Sequence, residues 1–280
     1  MALVVENREI GPRLVEMVVE APRIARKALP GQFVIVMADP AGERVPLTIA
    51  DFDRQKGTIT MVVAIVGASS LKISRIGAGQ SLHALIGPLG TPSEIEPHGT
   101  VVMVAGGVGA APIYPIARAF AEAGADLITI QGARSAELLF WTDRLAAISR
   151  QHIITTDDGS AGRKGLVTQP LGELLAADPS RQIARVYAIG PPIMMKFCCE
   201  TTRPYNVRTI VSLNSIMVDG TGMCGGCRVE VGGQTKFTCV DGPEFDGHLV
   251  AWDQLMARQR AFQHHESCAM ERQAAQAVCE

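Results

Sequence analysis

The sequence predicts three parts in series. These are an antiparallel β-barrel, a doubly wound α/β domain on a parallel sheet, and a small cysteine-rich module. Three observations carry this. The first hundred residues are short β-branched-rich segments broken by Gly, Pro and Asp. From Thr100 onward, apolar strand-length runs alternate with helix-length stretches. Met217–Phe245 is rich in glycine, poor in apolar residues, and holds three of the seven cysteines. With 280 residues the chain is long enough for two domains and an appendage. The expected divisions are 1–98, 99–213 and 214–250, with a helical or flexible tail at 251–280.

In the first part, Arg13–Val19, Gln32–Ala38 and Thr58–Val66 read as strands. The first helical pattern is Ser69–Ile76. Val101–Ala105 is a continuous apolar run, as expected of a strand covered on both faces. A Gly-rich turn and a helix, Ile113–Ala123, follow. The alternation continues through strand Leu127–Gln131, helix Ala136–Arg150, strand His152–Thr156 and helix Val167–Ala176. Strand Arg185–Ile189, helix Ile193–Thr201 and strand Val207–Leu213 complete it. Strands joined by helical crossovers imply a parallel sheet.

Composition narrows the function classes. A net charge of −2 offers no electrostatic case for nucleic acid or an anionic membrane. The N-terminus has no signal-peptide pattern, and no apolar run approaches the ~18 residues of a membrane span. Seven cysteines, an odd number, in a chain expected to be cytoplasmic point to thiols or metal ligands rather than disulfides.

The most specific motif is Asp219-Gly220-Thr221-Gly222-Met223-Cys224-Gly225-Gly226-Cys227, with Cys239 beyond a hairpin turn at Gly232-Gly233. The spacing is that of a plant-type 2Fe–2S loop, with Asp219 in the first thiolate position. A module this poor in apolar residues needs a metal centre to fold. Structural zinc on the same four residues is the alternative.

Three further loops are expected at the carboxyl ends of parallel strands, where nucleotides bind. They are Gly106–Ala111, Thr156–Ser160 and Gly190–Met194. Each taken singly could be a helix cap or turn. In the barrel, Arg44-Val45-Pro46-Leu47-Thr48 has a cation for a phosphate, an edge-strand proline and a hydroxyl for a ring nitrogen. A plain edge strand with a surface arginine is the alternative reading.

In this order, these motifs resemble the ferredoxin–NADP reductase superfamily. The appended cysteine module resembles the electron-transfer subunits of dihydroorotate dehydrogenase. It is closer still to the small subunits of NADH-dependent reduced-ferredoxin:NADP oxidoreductase, also known as sulfide dehydrogenase subunits. Asp219 favours the latter, because the dihydroorotate relatives are expected to use four Cys. The resemblance covers about residues 1–257.

The resemblance implies FAD against Arg44, Pro46, Leu47 and Thr48, with Thr48 near flavin N5. Ala64, Ile65, Gly67, Ser69 and Ser70 would reach the ribityl chain and pyrophosphate, although Gly67–Ser70 departs from the commoner G-x-G-T form. NAD(H) would use Gly107, Val108, Gly109, Ala110, Asp157, Asp158, Gly190 and Pro191. The acidic pair Asp157-Asp158 suits ribose hydroxyls better than a 2′-phosphate. The cluster ligands would be Asp219, Cys224, Cys227 and Cys239. Cys198 is expected to be a buried thiol, with an approach to the nicotinamide as the second option.

The implied function is a relay from NADH through FAD and a 2Fe–2S cluster to a larger flavoprotein subunit with 4Fe–4S clusters, in a heterodimer or higher assembly. Ferredoxin and NADPH would be coupled through that partner, with flavin-based bifurcation as one route that the resemblance implies and the spacing does not show. Three other readings stand beside it: a dihydroorotate dehydrogenase electron-transfer subunit, a stand-alone NADH:acceptor reductase, and a zinc-containing binding module. In the tail, His264, His265, Cys268 and Cys279 are expected on a solvated or partner-facing helix rather than at a metal.

Overall fold

Strands rich in Val, Ile and Met open the chain. The computed structural model describes residues 2–178, 180, 182–262 and 264–270. The barrel contains β1 (Ala2–Gly11), β2 (Leu14–Glu20), α1 (Pro22–Lys27), β3 (Phe33–Met37), β4 (Val45–Thr48) and β5 (Asp51–Asp53). It continues with β6 (Thr58–Ala64), α2 (Ala68–Ser74), β7 (Ser81–Leu82) and β8 (Ala84–Leu89). One sheet runs β5-β6-β2-β1-β7 and the other β4-β3-β8; every pairing in them is antiparallel. β1 carries polar residues on its exposed side, which hides its strand character in a reading by apolar content.

The α/β part contains β9 (Thr100–Gly106), α3 (Ala110–Glu122), β10 (Asp126–Ala133), α4 (Thr142–Ala147), β11 (Gln151–Thr156) and β12 (Arg163–Lys164). After these come α5 (Thr168–Ala176), β13 (Ile183–Ile189), α6 (Pro192–Thr202) and β14 (Arg208–Ser212). The module adds β15 (Arg228–Val231), β16 (Gln234–Phe237), β17 (Glu244–Asp246) and α7 (Trp252–Arg260). The large sheet has the order β12-β11-β10-β9-β13-β14-β17. All its pairings are parallel except β14 with β17. Val101–Ala105 is wholly buried at its centre. One face packs Ile113, Ile116 and Phe120 of α3, and the other packs Leu171 of α5 and Met195 of α6.

Two expectations are corrected. The stretch Ala136–Arg150 is not one helix: a single 3-10 turn at Ala136–Leu138 is followed by α4 only from Thr142. Buried tertiary contacts break it. Gln131 Nε2 donates to the Phe140 carbonyl at 2.8 Å, and Trp141, at φ 55°, donates Nε1 to Glu16 Oε2 of β2 at 2.7 Å. The large sheet also does not end at β14, because β17 from the module adds an antiparallel strand. Behind it, Trp252 and Leu255 of α7 enter the same core as Val186 and Val211. The start of the expected tail is therefore packed. Residues 264–270 are helical, and Cys279 lies outside the described residues.

Candidate functional site

The cysteine loop folds into two pairs of donors. Cys227 and Cys239 are buried, with sulfurs 3.2 Å apart. The hairpin β15–β16 brings Cys239 back, turning at Gly232 and Gly233. Asp219 and Cys224 form the other pair: Cys224 N donates to Asp219 Oδ2 at 2.6 Å, and Thr221 N to Oδ1 at 2.8 Å. These amides hold the Asp219 carboxyl below the ordinary carboxylate range, Thr221 N–H contributing most. Two amides also point at sulfur, Gly226 N at Cys224 Sγ (3.4 Å) and Cys239 N at Cys227 Sγ (3.5 Å).

This donor set fits a dinuclear cluster, which needs two ligand pairs on two irons. Among the described residues no three His, Cys, Asp or Glu side chains converge as a single ion requires. In the tail, Cys268 Sγ lies 4.0 Å from His264 Nδ1.

The loop sits on the barrel. Val34 and Val36 of β3 face the barrel core, whereas Phe33 and Ile35, on the other side of the pleat, pack with Met217, Cys227 and Cys239. Gly220 has φ +73°, and a Cβ there would meet Ile35 Cγ1 at 2.8 Å and Leu89 Cδ1 at 2.9 Å. β4 is the edge strand beside β3, with Phe33 opposite Thr48 and Ile35 opposite Pro46. Directly paired residues share a face. Pro46 and Thr48 therefore lie on the face that carries the cysteine loop, while Val45 and Leu47 pack toward the barrel core. Arg44 is exposed at the start of β4.

At the carboxyl edge of the large sheet, the chain runs β9 to β12 in one direction and then returns beside β9 with β13. This places the topological switch between β9 and β13. The Gly106–Gly109 and Gly190–Pro191 loops meet there. A Cβ on Gly109 would lie 2.0 Å from the Ile189 carbonyl oxygen, and one on Gly190 would lie 3.0 Å from Gly106 Cα. Val108 and Ile193 stay exposed beside this contact.

The Asp157-Asp158 loop ends β11, two strands from β9. Asp158 Oδ1 accepts from Ser160 N (2.9 Å) and Oγ (2.6 Å), and the Ser160 hydroxyl contributes most to lowering its pKa. Asp157 is exposed.

In the segment after β6, Ser70 is buried and its Oγ accepts from Val66 N and Gly67 N, both at 3.0 Å. The hydroxyl braces its own turn. Ser69 Oγ donates to Glu43. Cys198 is fully buried among Val186, Met195 and Val211, and burial pushes its thiol far up; it has the expected buried-thiol setting.

Arg134-Ser135, at the end of β10, is a fourth loop on this edge, missed in the sequence reading. Asp158 N donates to the Arg134 carbonyl at 3.2 Å, and Ala136 N to Ser160 Oγ at 2.7 Å. Its signal was present, since it follows an apolar strand as the other loops do.

Comparison with known proteins settles the family. A Thermotoga maritima protein described as a dihydroorotate dehydrogenase B (NAD(+)) electron transfer subunit homolog is 45% identical over 269 residues, 96% of this chain and 94% of the relative. The chain belongs to the family of dihydroorotate dehydrogenase B electron transfer subunits. Residues 214–251 match the iron–sulfur cluster binding domain of dihydroorotate dehydrogenase B, and 103–200 match the oxidoreductase NAD-binding domain. The electron transfer subunit from Desulforamulus reducens is 31% identical, covering 87% of this chain and 95% of the relative.

A chain of the NADH-dependent reduced ferredoxin-NADP oxidoreductase structure, described in work on flavin-based electron bifurcation, superposes with a TM-score of 0.91. It is 44% identical, with 97% of each chain covered. An Amycolatopsis cytochrome P450 reductase, at 22% identity and TM-score 0.61, shares the fold over 73% of this chain. As a member of this family the chain is an electron-transferring oxidoreductase subunit. Its fold and matched domains support FAD, a 2Fe–2S cluster and NAD(H) as cofactors. Among the described residues no helix is long and apolar enough to cross a membrane.

Proposed function

We propose that this chain passes electrons between NAD(H), FAD and a 2Fe–2S cluster and on to a larger flavoprotein subunit carrying 4Fe–4S clusters, in the cytoplasm, coupling NADH, NADPH and ferredoxin. The observation that carries the reading is the shared face of β3 and β4. Pro46 and Thr48, assigned to the flavin, and Cys227 and Cys239, assigned to the cluster, meet the same surface through Phe33 and Ile35. A flavin held by β4 and a cluster held by the cysteine loop would therefore both lie against this one face.

The residue roles are part of the same proposal. Asp219 with Cys224, and Cys227 with Cys239, would hold the two irons. Arg44 offers its guanidinium to a flavin phosphate, and Thr48 its hydroxyl to the ring. Ala64, Ile65, Gly67 and Ser69 line the path to the pyrophosphate, while Ser70 shapes that turn from inside. Gly107, Val108, Gly109, Ala110, Gly190 and Pro191 form the nicotinamide end at the strand switch. Asp157 is the carboxylate left for a ribose, because Asp158 is engaged with Ser160. When bound, the flavin supplies two-electron to one-electron conversion and the cluster one-electron transfer. The protein sets their spacing and keeps water from Cys227 and Cys239. We divide the chain at 1–98, 99–213, 214–250 and 251–280, with the first turns of the last segment docked.

Although the Thermotoga relative described as a dihydroorotate dehydrogenase B electron transfer subunit homolog is as similar, at 45%, the partner reading draws on the fit to the ferredoxin-NADP oxidoreductase chain, 44% identical over 97% of each chain. The carboxylate at position 219 points the same way. Anaerobic purification of the native complex tests it. About two irons with labile sulfide, one FAD and a large iron–sulfur flavoprotein would support the proposal. A barrel-fold dihydroorotate dehydrogenase as second chain would replace it, and stoichiometric zinc without flavin would end it.

A further inference from the structure

The three parts of the chain meet around one carboxyl group, that of Glu244 on β17. Segment 240–244 is clamped to the segment that leaves the barrel: Thr91 N donates to the Gly242 carbonyl at 2.6 Å and Thr91 Oγ1 to the Val240 carbonyl at 3.1 Å. On the other side, Leu213 N donates to the Pro243 carbonyl at 2.9 Å. Glu244 is half-buried, and its carboxyl reaches into the junction, where Ser93 Oγ donates to it at 2.5 Å. The barrel turn at Gly31 closes in from below, since a Cβ there would lie 2.9 Å from Glu244 Oε1. Ser93 N is itself bonded to the Pro30 carbonyl at 2.9 Å.

The charges around this carboxyl do not neutralise it. The linker contributes Glu94, a like charge that opposes ionisation of Glu244. From β13, the Tyr187 hydroxyl donates to the Glu94 carbonyl at 3.1 Å, and Arg185 is paired with Glu96. From β14, Arg208 is paired with Glu94 at 3.3 Å. Asp246, two residues along β17, accepts from His248 N at 2.9 Å. The barrel turn brings no charged side chain. Each nearby arginine is engaged by a linker carboxylate, and Ser93 is the donor that reaches Glu244.

We propose that Glu244 is a proton-operated latch: with its proton it seals the junction of barrel, linker and cluster module, and without it the junction loosens. The proton goes to and comes from solvent, and no bond other than O–H is made or broken. Desolvation pushes the Glu244 carboxyl up to about 7 from the ordinary 4.5, so the latch works in the neutral range. Because the junction holds the cysteine loop against β3, the latch controls how firmly the cluster module is seated on the barrel. This inference does not depend on the identity of the partner, and its test reads neither NADH nor electron flow.

The sign follows from proton binding. Between pH 4.5 and about 7 the unfolded chain gives up this proton while the folded chain keeps it. Stability therefore falls as pH rises through that window and levels off above it. In the full-length holoprotein, Glu244→Gln keeps the neutral form at every pH. Its Tm is expected to match wild type near pH 4.5 and to pull ahead as pH rises to 7. The full gap is on the order of a hundredfold in the folding equilibrium.

Ser93→Ala removes the donor that the ionised carboxylate needs, so its loss of stability should grow with pH. Hydrogen-exchange protection of the Thr91 and Leu213 amides in wild type should drop across pH 7, and in Glu244→Gln it should not. Parallel Tm curves for wild type and Glu244→Gln, a pH-independent Ser93→Ala effect, or unchanged amide protection would each overturn the latch.

Discussion

Asp219 has one task the structure shows, bracing its loop, and a second that is proposed, ligation of iron. Its carboxylate receives the Thr221 and Cys224 amides, and a carboxylate has about four lone-pair positions, so others remain for iron. Replacing it with Cys removes the brace and, on the proposed ligand set, exchanges the ligand. Asp219→Cys is expected to retain a 2Fe–2S spectrum with shifted electron paramagnetic resonance signals. An unchanged spectrum would remove Asp219 from the ligand set.

The glycines of the nucleotide edge divide in the same way. A Cβ on Gly109 collides with the Ile189 carbonyl, whereas one on Gly107 meets nothing within 4 Å but sits at φ +53°. Gly109→Ala should cost ~1–3 kcal/mol and weaken NADH binding by wedging two loops apart. Gly107→Ala should cost only ~1–2 kcal/mol of backbone strain. Denaturant unfolding and NADH titration check both. The gathering of Asp219 with Cys224 and of Cys227 with Cys239 was legible in sequence because the motif's spacing is local. The inward turn of Ser70 was not, because its partners are backbone amides that no residue type announces.

At the scale of elements, the strands were read more truly than the helix around Trp141. The run Ala136–Arg150 has helical composition, yet its course is set by Glu16, 125 residues earlier in the chain. Trp141→Phe keeps the ring packing against Tyr114 and Phe140 but leaves Glu16 Oε2 without its 2.7 Å donor. A loss of ~1–3 kcal/mol in chemical unfolding is expected, since a buried acceptor loses its partner. Helix α6 carries the opposite case. Cys198→Ser puts a hydroxyl into an apolar core and should cost ~1–3 kcal/mol, while flavin reduction by NADH stays at the wild-type rate. A stable variant with slow flavin reduction would return Cys198 to the nicotinamide site.

For the whole molecule, the order of parts along the chain was legible from the change in hydrophobic pattern at Thr100 and the cysteine run after Met217. Their joints were not, because each is made of contacts between segments far apart in sequence. The strand that the cluster module lends to the large sheet has a consequence beyond electron transfer. A parallel sheet presents unpaired amides and carbonyls at both margins, and such margins recruit other chains. One margin here is β12, only two residues long and both of them basic. The other would be β14, whose middle residues are buried, were it not covered by the short acidic β17. The iron–sulfur module should thus also guard against self-association. A chain ended at Leu213 should form soluble oligomers or aggregates in light scattering under conditions where the full chain does not.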